Sequence, residues 1–122
     1  ALNRAKSLSV QMFNVPQPPC AFGVYFSQAE NRFLIFRDLA LNCGNADHVY
    51  TGSEELFESY QLSSKIKFGE LSLNNIVFIP PDPKTLIDND PNKNEATITL
   101  ETLDGNASLK VKVNNAGQIT TQ

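Results

Sequence analysis

From Ala96 to Gln122 the chain alternates apolar and polar residues. Ala96, Ile98 and Leu100 alternate with Thr97, Thr99 and Glu101, and Leu109, Val111 and Val113 alternate with Lys110 and Lys112. Successive side chains of a strand leave opposite faces, so this pattern predicts half-buried strands. Asp104-Gly105 lies between the two runs and suits a tight hairpin turn, where positive φ angles are needed. Asn114-Asn115-Ala116-Gly117 predicts a second turn, followed by a short last strand from Gln118 to Thr121. The chain should therefore end in an antiparallel meander with one apolar face, which the rest of the chain must cover.

Upstream, the period changes. Leu2, Ala5, Leu8 and Met12 fall at helical spacing, with Arg4 and Lys6 off the stripe, which predicts a helix from Ala1 to Phe13. A helix this short depends on packing, and the meander face is the expected bed. The prolines of Val15-Pro16-Gln17-Pro18-Pro19 end it. Cys20 to Phe26 places Phe22, Val24 and Phe26 on one side, Ser27 to Asn31 is a polar turn, and Arg32 to Asp38 completes a second hairpin. Ala40 to Ser53 reads as a polar loop. Ser53-Glu54-Glu55 could open a short helix through Tyr60, with its acids at the positive end of the dipole. Lys65 to Phe68 and Asn75 to Ile79 are two more strands, the second ended by Pro80-Pro81-Asp82-Pro83. Lys84 to Asn94 reads as a polar excursion. The sum is an α+β fold over residues 1–122, a single domain with an N-terminal helix (1–13) packed on antiparallel sheet.

A chain of 122 residues can bury a substantial core as one domain. The net charge of −3, without clustered Lys or Arg, gives no basic footprint, so no nucleic-acid partner is expected. No apolar run approaches the roughly 18 residues of a membrane helix. The sequence opens inside the predicted helix without an N-cap, as expected of a trimmed or processed product whose helix is the end of a longer one. Cys20 and Cys43 both lie in turn-like surroundings, Pro18-Pro19-Cys20 and Asn42-Cys43-Gly44. That setting favours a disulfide over two buried thiols, and with it an oxidising compartment.

Little of the sequence suggests catalysis. There is no Gly-x-Ser-x-Gly, no glycine-rich phosphate loop, and too few Cys and His for a zinc site. His48 follows Asp47 in the polar loop and reads as a surface residue, and Glu54, Glu55 and Glu58 read as a solvated face. No cofactor is expected. Asp88, Asp90 and Asn92 place oxygen ligands at alternate positions, like the start of a calcium loop. The glycine and the later glutamate of such a loop are missing, and Asp and Asn are ordinary turn residues.

The order of these pieces resembles the soluble head of type IV pilin-like proteins, in particular the minor, H-type pseudopilins of type II secretion and related pilus systems. The resemblance is carried by Ala5-Lys6-Ser7-Leu8-Ser9-Val10-Gln11, Cys20-Ala21-Phe22-Gly23-Val24-Tyr25-Phe26, Phe36-Arg37-Asp38, Ile76-Val77-Phe78-Ile79-Pro80-Pro81 and Val113-Asn114-Asn115-Ala116-Gly117-Gln118-Ile119. It implies a structural subunit of an extracytoplasmic filament. Such a subunit touches other pilins or pseudopilins through its N-terminal helix. It is anchored in the inner membrane before assembly by an apolar segment that this sequence does not include. The runner-up reading is an extracytoplasmic β-rich binding module for a glycan, a protein or DNA. An enzyme ranks third.

Overall fold

The computed structural model describes residues 2–12, 16, 18–40, 42–80 and 84–121. Helix α1 (Leu2–Gln11) is followed by β1 (Ala21–Ser27), β2 (Arg32–Asp38), β3 (Leu56–Gln61), β4 (Ile66–Leu71), β5 (Asn75–Ile79), β6 (Lys84–Ile87), β7 (Glu95–Thr102), β8 (Ser108–Asn114) and β9 (Ile119–Thr121). All pairings are antiparallel, and they form a five-stranded sheet ordered β3-β2-β1-β5-β6 and a four-stranded sheet ordered β4-β7-β8-β9. This is an α+β fold.

The apolar stripe of α1 behaves as its spacing predicts. Leu2, Ala5 and Leu8 are buried, and Met12 packs against the same core. Their bed differs from the expected one. The helix lies across β1 and β5 of the larger sheet, and the meander closes the same core with Ala96, Ile98 and Val113. The reason lies in the strands. Phe22, Val24, Ile76 and Phe78 are almost completely buried and form a broad apolar surface for the helix. The meander alternates with lysines and runs out into an exposed tip at Leu103 and Leu109. Side chains of the β1–β2 turn fasten the two sheets together. Asn31 Nδ2 donates to the Ile66 carbonyl, the Phe68 amide donates to Asn31 Oδ1, and Gln28 Nε2 donates to the Gly69 carbonyl.

The opposite face of the larger sheet is also buried. Ala21, Leu34, Phe36 and Val77 form a second cluster, covered in part by Tyr50, whose ring lies 5.3 Å from Tyr25 and 5.7 Å from Phe36. The segment between β2 and β3 is thus a lid over apolar surface. Cys20 and Cys43 are bridged, with their Cα atoms 5.4 Å apart, and the bond holds this lid beside the start of β1.

Three local expectations are corrected. Ser53–Glu55 is a single 3-10 turn, and the chain then enters β3 instead of a helix through Tyr60. Pairing with β2 satisfies that backbone and stacks Tyr60 on Phe33 at 5.1 Å, which outweighs the helical spacing of the acids. The first residues of the polar excursion are strand β6, because Thr85 and Ile87 bury their side chains while the backbone pairs with β5. The strand at Lys65 to Phe68 instead runs from Ile66 to Leu71, with an irregularity in its pairing between Phe68 and Leu71. Ala1 and Phe13, the ends of the expected helix, lie outside the described residues, as do residues 14, 15, 17 and 81–83 of the two proline-rich breaks.

Two glycines matter for different reasons. A Cβ at Gly23 would meet the Ile76 carbonyl oxygen at 2.6 Å and both Phe36 and Val77 at 2.7 Å. Gly105 has φ of 76° in the hairpin turn, and a Cβ there would meet nothing within 4 Å, so only its backbone angle resists substitution. Gly23→Ala should cost about 3 kcal/mol through overpacking, and Gly105→Val about 1 kcal/mol through backbone strain. Urea unfolding of both variants checks the ranking, and the reverse order would contradict the packing around β1. Reduction of the bridge should cost about 3 kcal/mol, from the loop closed between residues separated by 23 positions. Unfolding with and without reductant measures it, and a negligible difference would show that the lid holds without the bond.

Candidate functional site

Two surfaces stand out, and the first is the outer face of α1. The helix is clasped on both flanks. Lys6 Nζ donates to the Gly117 carbonyl at 3.0 Å, tying the helix to the β8–β9 turn. Gly117 has φ of 81°, as that turn requires. On the other flank the Arg4 guanidinium pairs with Glu58 on edge strand β3, and the Tyr60 hydroxyl donates to the same carboxylate. The Arg4 bond, with help from Tyr60, holds the Glu58 carboxyl below its usual range, and the carboxylate in turn raises Tyr60. Between the clasps, Asn3, Ser7, Val10 and Gln11 face outward, and Val10 is 48% exposed. A valine at that exposure on an otherwise polar face is the unexpected residue here.

The second surface is the lid and the carboxylates beneath it. Asp38 ends β2 and is fully buried. Its Oδ2 accepts from the His48 backbone amide at 3.1 Å and lies 2.9 Å from His48 Nδ1. Burial pushes the Asp38 carboxyl up to about 6, against the downward pull of His48. His48, expected at the surface, is thus half-buried and paired, with a φ of 58° that brings its amide and its ring onto one oxygen. Glu55, expected on a solvated face, is buried. Its Oε1 accepts from the Thr51 amide and hydroxyl, and its Oε2 accepts from the Leu39 amide, so one side chain organises both ends of the lid. Asp47 remains exposed and accepts from the Val49 amide. One carboxylate oxygen from each of Asp38, Asp47 and Glu55 lies within 4.8 Å of the others.

The calcium-like residues Asp88, Asp90 and Asn92 are arranged as a turn. Asp88 and Asn89 both have φ of 53°, and the Asp90 amide donates to the Ile87 carbonyl, which makes a two-residue hairpin turn of the type Asp and Asn tolerate. Asp88 Oδ1 accepts from the Asn74 and Asn75 amides, and its Oδ2 pairs with Lys93 Nζ at 2.7 Å. Asp90 accepts from the Asn92 amide. Asp88 is therefore engaged as a clip between β5 and β6, and among the described residues the acids that converge are Asp38, Asp47 and Glu55.

Compared with known proteins, the chain matches no family model, no curated protein and no solved structure.

Burial works to raise the Asp88 carboxyl, but Lys93 and the Asn75 and Asn74 amides outweigh it and hold the group below its ordinary value. A depressed carboxylate stabilises the fold above its unfolded pKa and loses that contribution as pH falls through the folded value. The loss should therefore fall below about pH 4. Asp88→Asn keeps an acceptor for the amides but loses the Lys93 pair. It should lower Tm at neutral pH and flatten the acid limb of a Tm–pH curve. An unchanged acid limb would mean that the clip carries no charge-dependent stability.

Proposed function

We propose that this domain is the head of a pilin or minor pseudopilin, a structural subunit of an extracytoplasmic type IV pilus-like or type II secretion filament, with no chemistry of its own. The observation that carries the reading is the seating of α1. The helix gives one stripe, Leu2, Ala5 and Leu8, to a β-rich head, is clasped at both flanks, and leaves Asn3, Ser7, Val10 and Gln11 open. A helix held in this way offers its outer face to a neighbour without losing its own fold. The Cys20–Cys43 bridge suits a head that works in an oxidising compartment.

The binding-module reading has one observation in its favour. A cleft of about 270 Å³ opens between the sheets beside the helix start, lined by Leu2, Phe26, Phe33, Phe68, Ile98 and Leu100. Apart from Asn3 and Thr121 its walls are apolar, which suits a protein side chain better than a glycan or DNA.

The filament reading requires that the gene encode, upstream of Ala1, a short basic leader and about 20 apolar residues. Expressed in its own host, that product should fractionate with the inner membrane before assembly. A cysteine placed at Ser7 or Gln11, with a bifunctional reagent, should capture other pilin-like subunits. A full-length product that stays in the soluble fraction, with no apolar segment in its gene, would end this reading and favour the binding module.

A further inference from the structure

We propose that Asp38, Asp47 and Glu55 form a calcium site where the bridged lid meets the end of β2, independent of the filament reading. The site is empty here. Two observations carry it. The first is convergence, since one oxygen from each of the three carboxylates lies within 4.8 Å of the others. Calcium accepts irregular shells of oxygen ligands at about 2.4 Å, whereas magnesium demands near-ideal octahedral geometry at about 2.1 Å and gives up its waters reluctantly, so an open, three-carboxylate cluster favours calcium. The second is an orphan. Asp38 is fully buried, and its Oδ1 has no hydrogen-bond partner among the described residues, although Oδ2 of the same carboxyl group has two. A buried carboxylate oxygen without a partner carries a large desolvation penalty, which a cation held by the Asp38 carboxyl group would offset.

The charge balance points the same way. Among the described residues no Lys or Arg pairs with Asp38, Asp47 or Glu55, and His48 is the one basic side chain in contact, through Asp38 Oδ2. Oxygen is the donor atom throughout, and this selects hard cations over zinc or copper. The ligands are also well prepared. The Thr51 and Leu39 donors fix Glu55, the His48 amide fixes Asp38, and the Val49 amide fixes Asp47. Asp47 is exposed, so it provides an entry path and room for water to complete the coordination shell. Bound calcium would join the end of β2, the middle of the lid and its far end, reinforcing the Cys20–Cys43 bridge at a second point.

The test is calorimetric titration of the oxidised protein, stripped by chelator, with calcium chloride at pH 7.5, alongside the variants Asp47→Asn and Asp90→Asn. Asp47→Asn is chosen because the residue is exposed and an asparagine keeps the acceptor for the Val49 amide. One equivalent should bind with Kd of about 10⁻⁴ M, as open sites of extracellular modules do. Asp47→Asn should weaken binding by at least about tenfold, an effect on the order of one lost charged ligand, while Asp90→Asn leaves it unchanged. Calcium should raise Tm, and magnesium at equal concentration should not. Absence of saturable binding at millimolar calcium would overturn the proposal. So would binding as tight in Asp47→Asn as in the parent, loss confined to Asp90→Asn, or magnesium binding as tightly as calcium.

Discussion

Strand β1 is buried on both faces, and most of the architecture follows from that. Phe22, Val24 and Phe26 point toward the helix and the meander, and Ala21 packs with Phe36 and Val77 on the reverse side. A strand in the middle of a sheet satisfies its backbone sideways, but two covered faces require two separate covers. One cover is α1 together with the meander. The other includes the lid, a polar segment that is not a natural roof for apolar surface. The fold secures it with Tyr50, the disulfide, and buried carboxylates that tie loop amides to the ends of the strands. Gly23 lies at the tightest point of this arrangement, where the two neighbouring strands leave no room for a methyl group.

The lid explains why its chemistry is unusual for a loop. Backbone amides drawn over an apolar sheet face must find acceptors, and carboxylates are strong ones. Glu55 accepts two such amides and the Thr51 hydroxyl, and Asp38 accepts the His48 amide. Burying the acids raises the cost of their charge, which shows in the upward shift of Asp38. The same residues that hold the lid therefore create a local excess of negative charge.

What could be read from the sequence tracks how strongly each element repeats its own pattern. The stripe of α1, strand β1 and the meander were legible because each keeps one period, and β2 and β5 because they are short runs of aromatic and β-branched residues bounded by turn residues. Strand β3 was not, since Glu54, Glu55 and Glu58 imitate a helix start and only the pairing with β2 decides between the two states. Strand β6 was hidden because Lys84-Thr85-Leu86-Ile87 is too short to show alternation between polar neighbours. The bridge between Cys20 and Cys43 was legible from two cysteines in turns. The carboxylate group was not, because Asp38, Asp47 and Glu55 are spread along the chain without a motif. The one available signal was an aspartate closing the apolar run Phe33-Leu34-Ile35-Phe36. For Asp88 to Asn92 the sequence showed the right residue types but could not tell a turn from a ligand loop.

The position of the disulfide has a mechanical side. It joins the residue before β1 to the lid after β2, so the whole hairpin is enclosed in a covalent ring. Tension applied to the two ends of the chain passes across the bridge, between Cα atoms 5.4 Å apart, and not through the hairpin. Because the bridge spans 23 positions, and an extended chain measures about 3.5 Å per residue, the ring withholds about 80 Å of contour length from any stretching event. The bed of α1 lies partly on that protected hairpin, so under load the seat of the helix includes strands that pulling on the chain ends cannot unravel while the bond is intact.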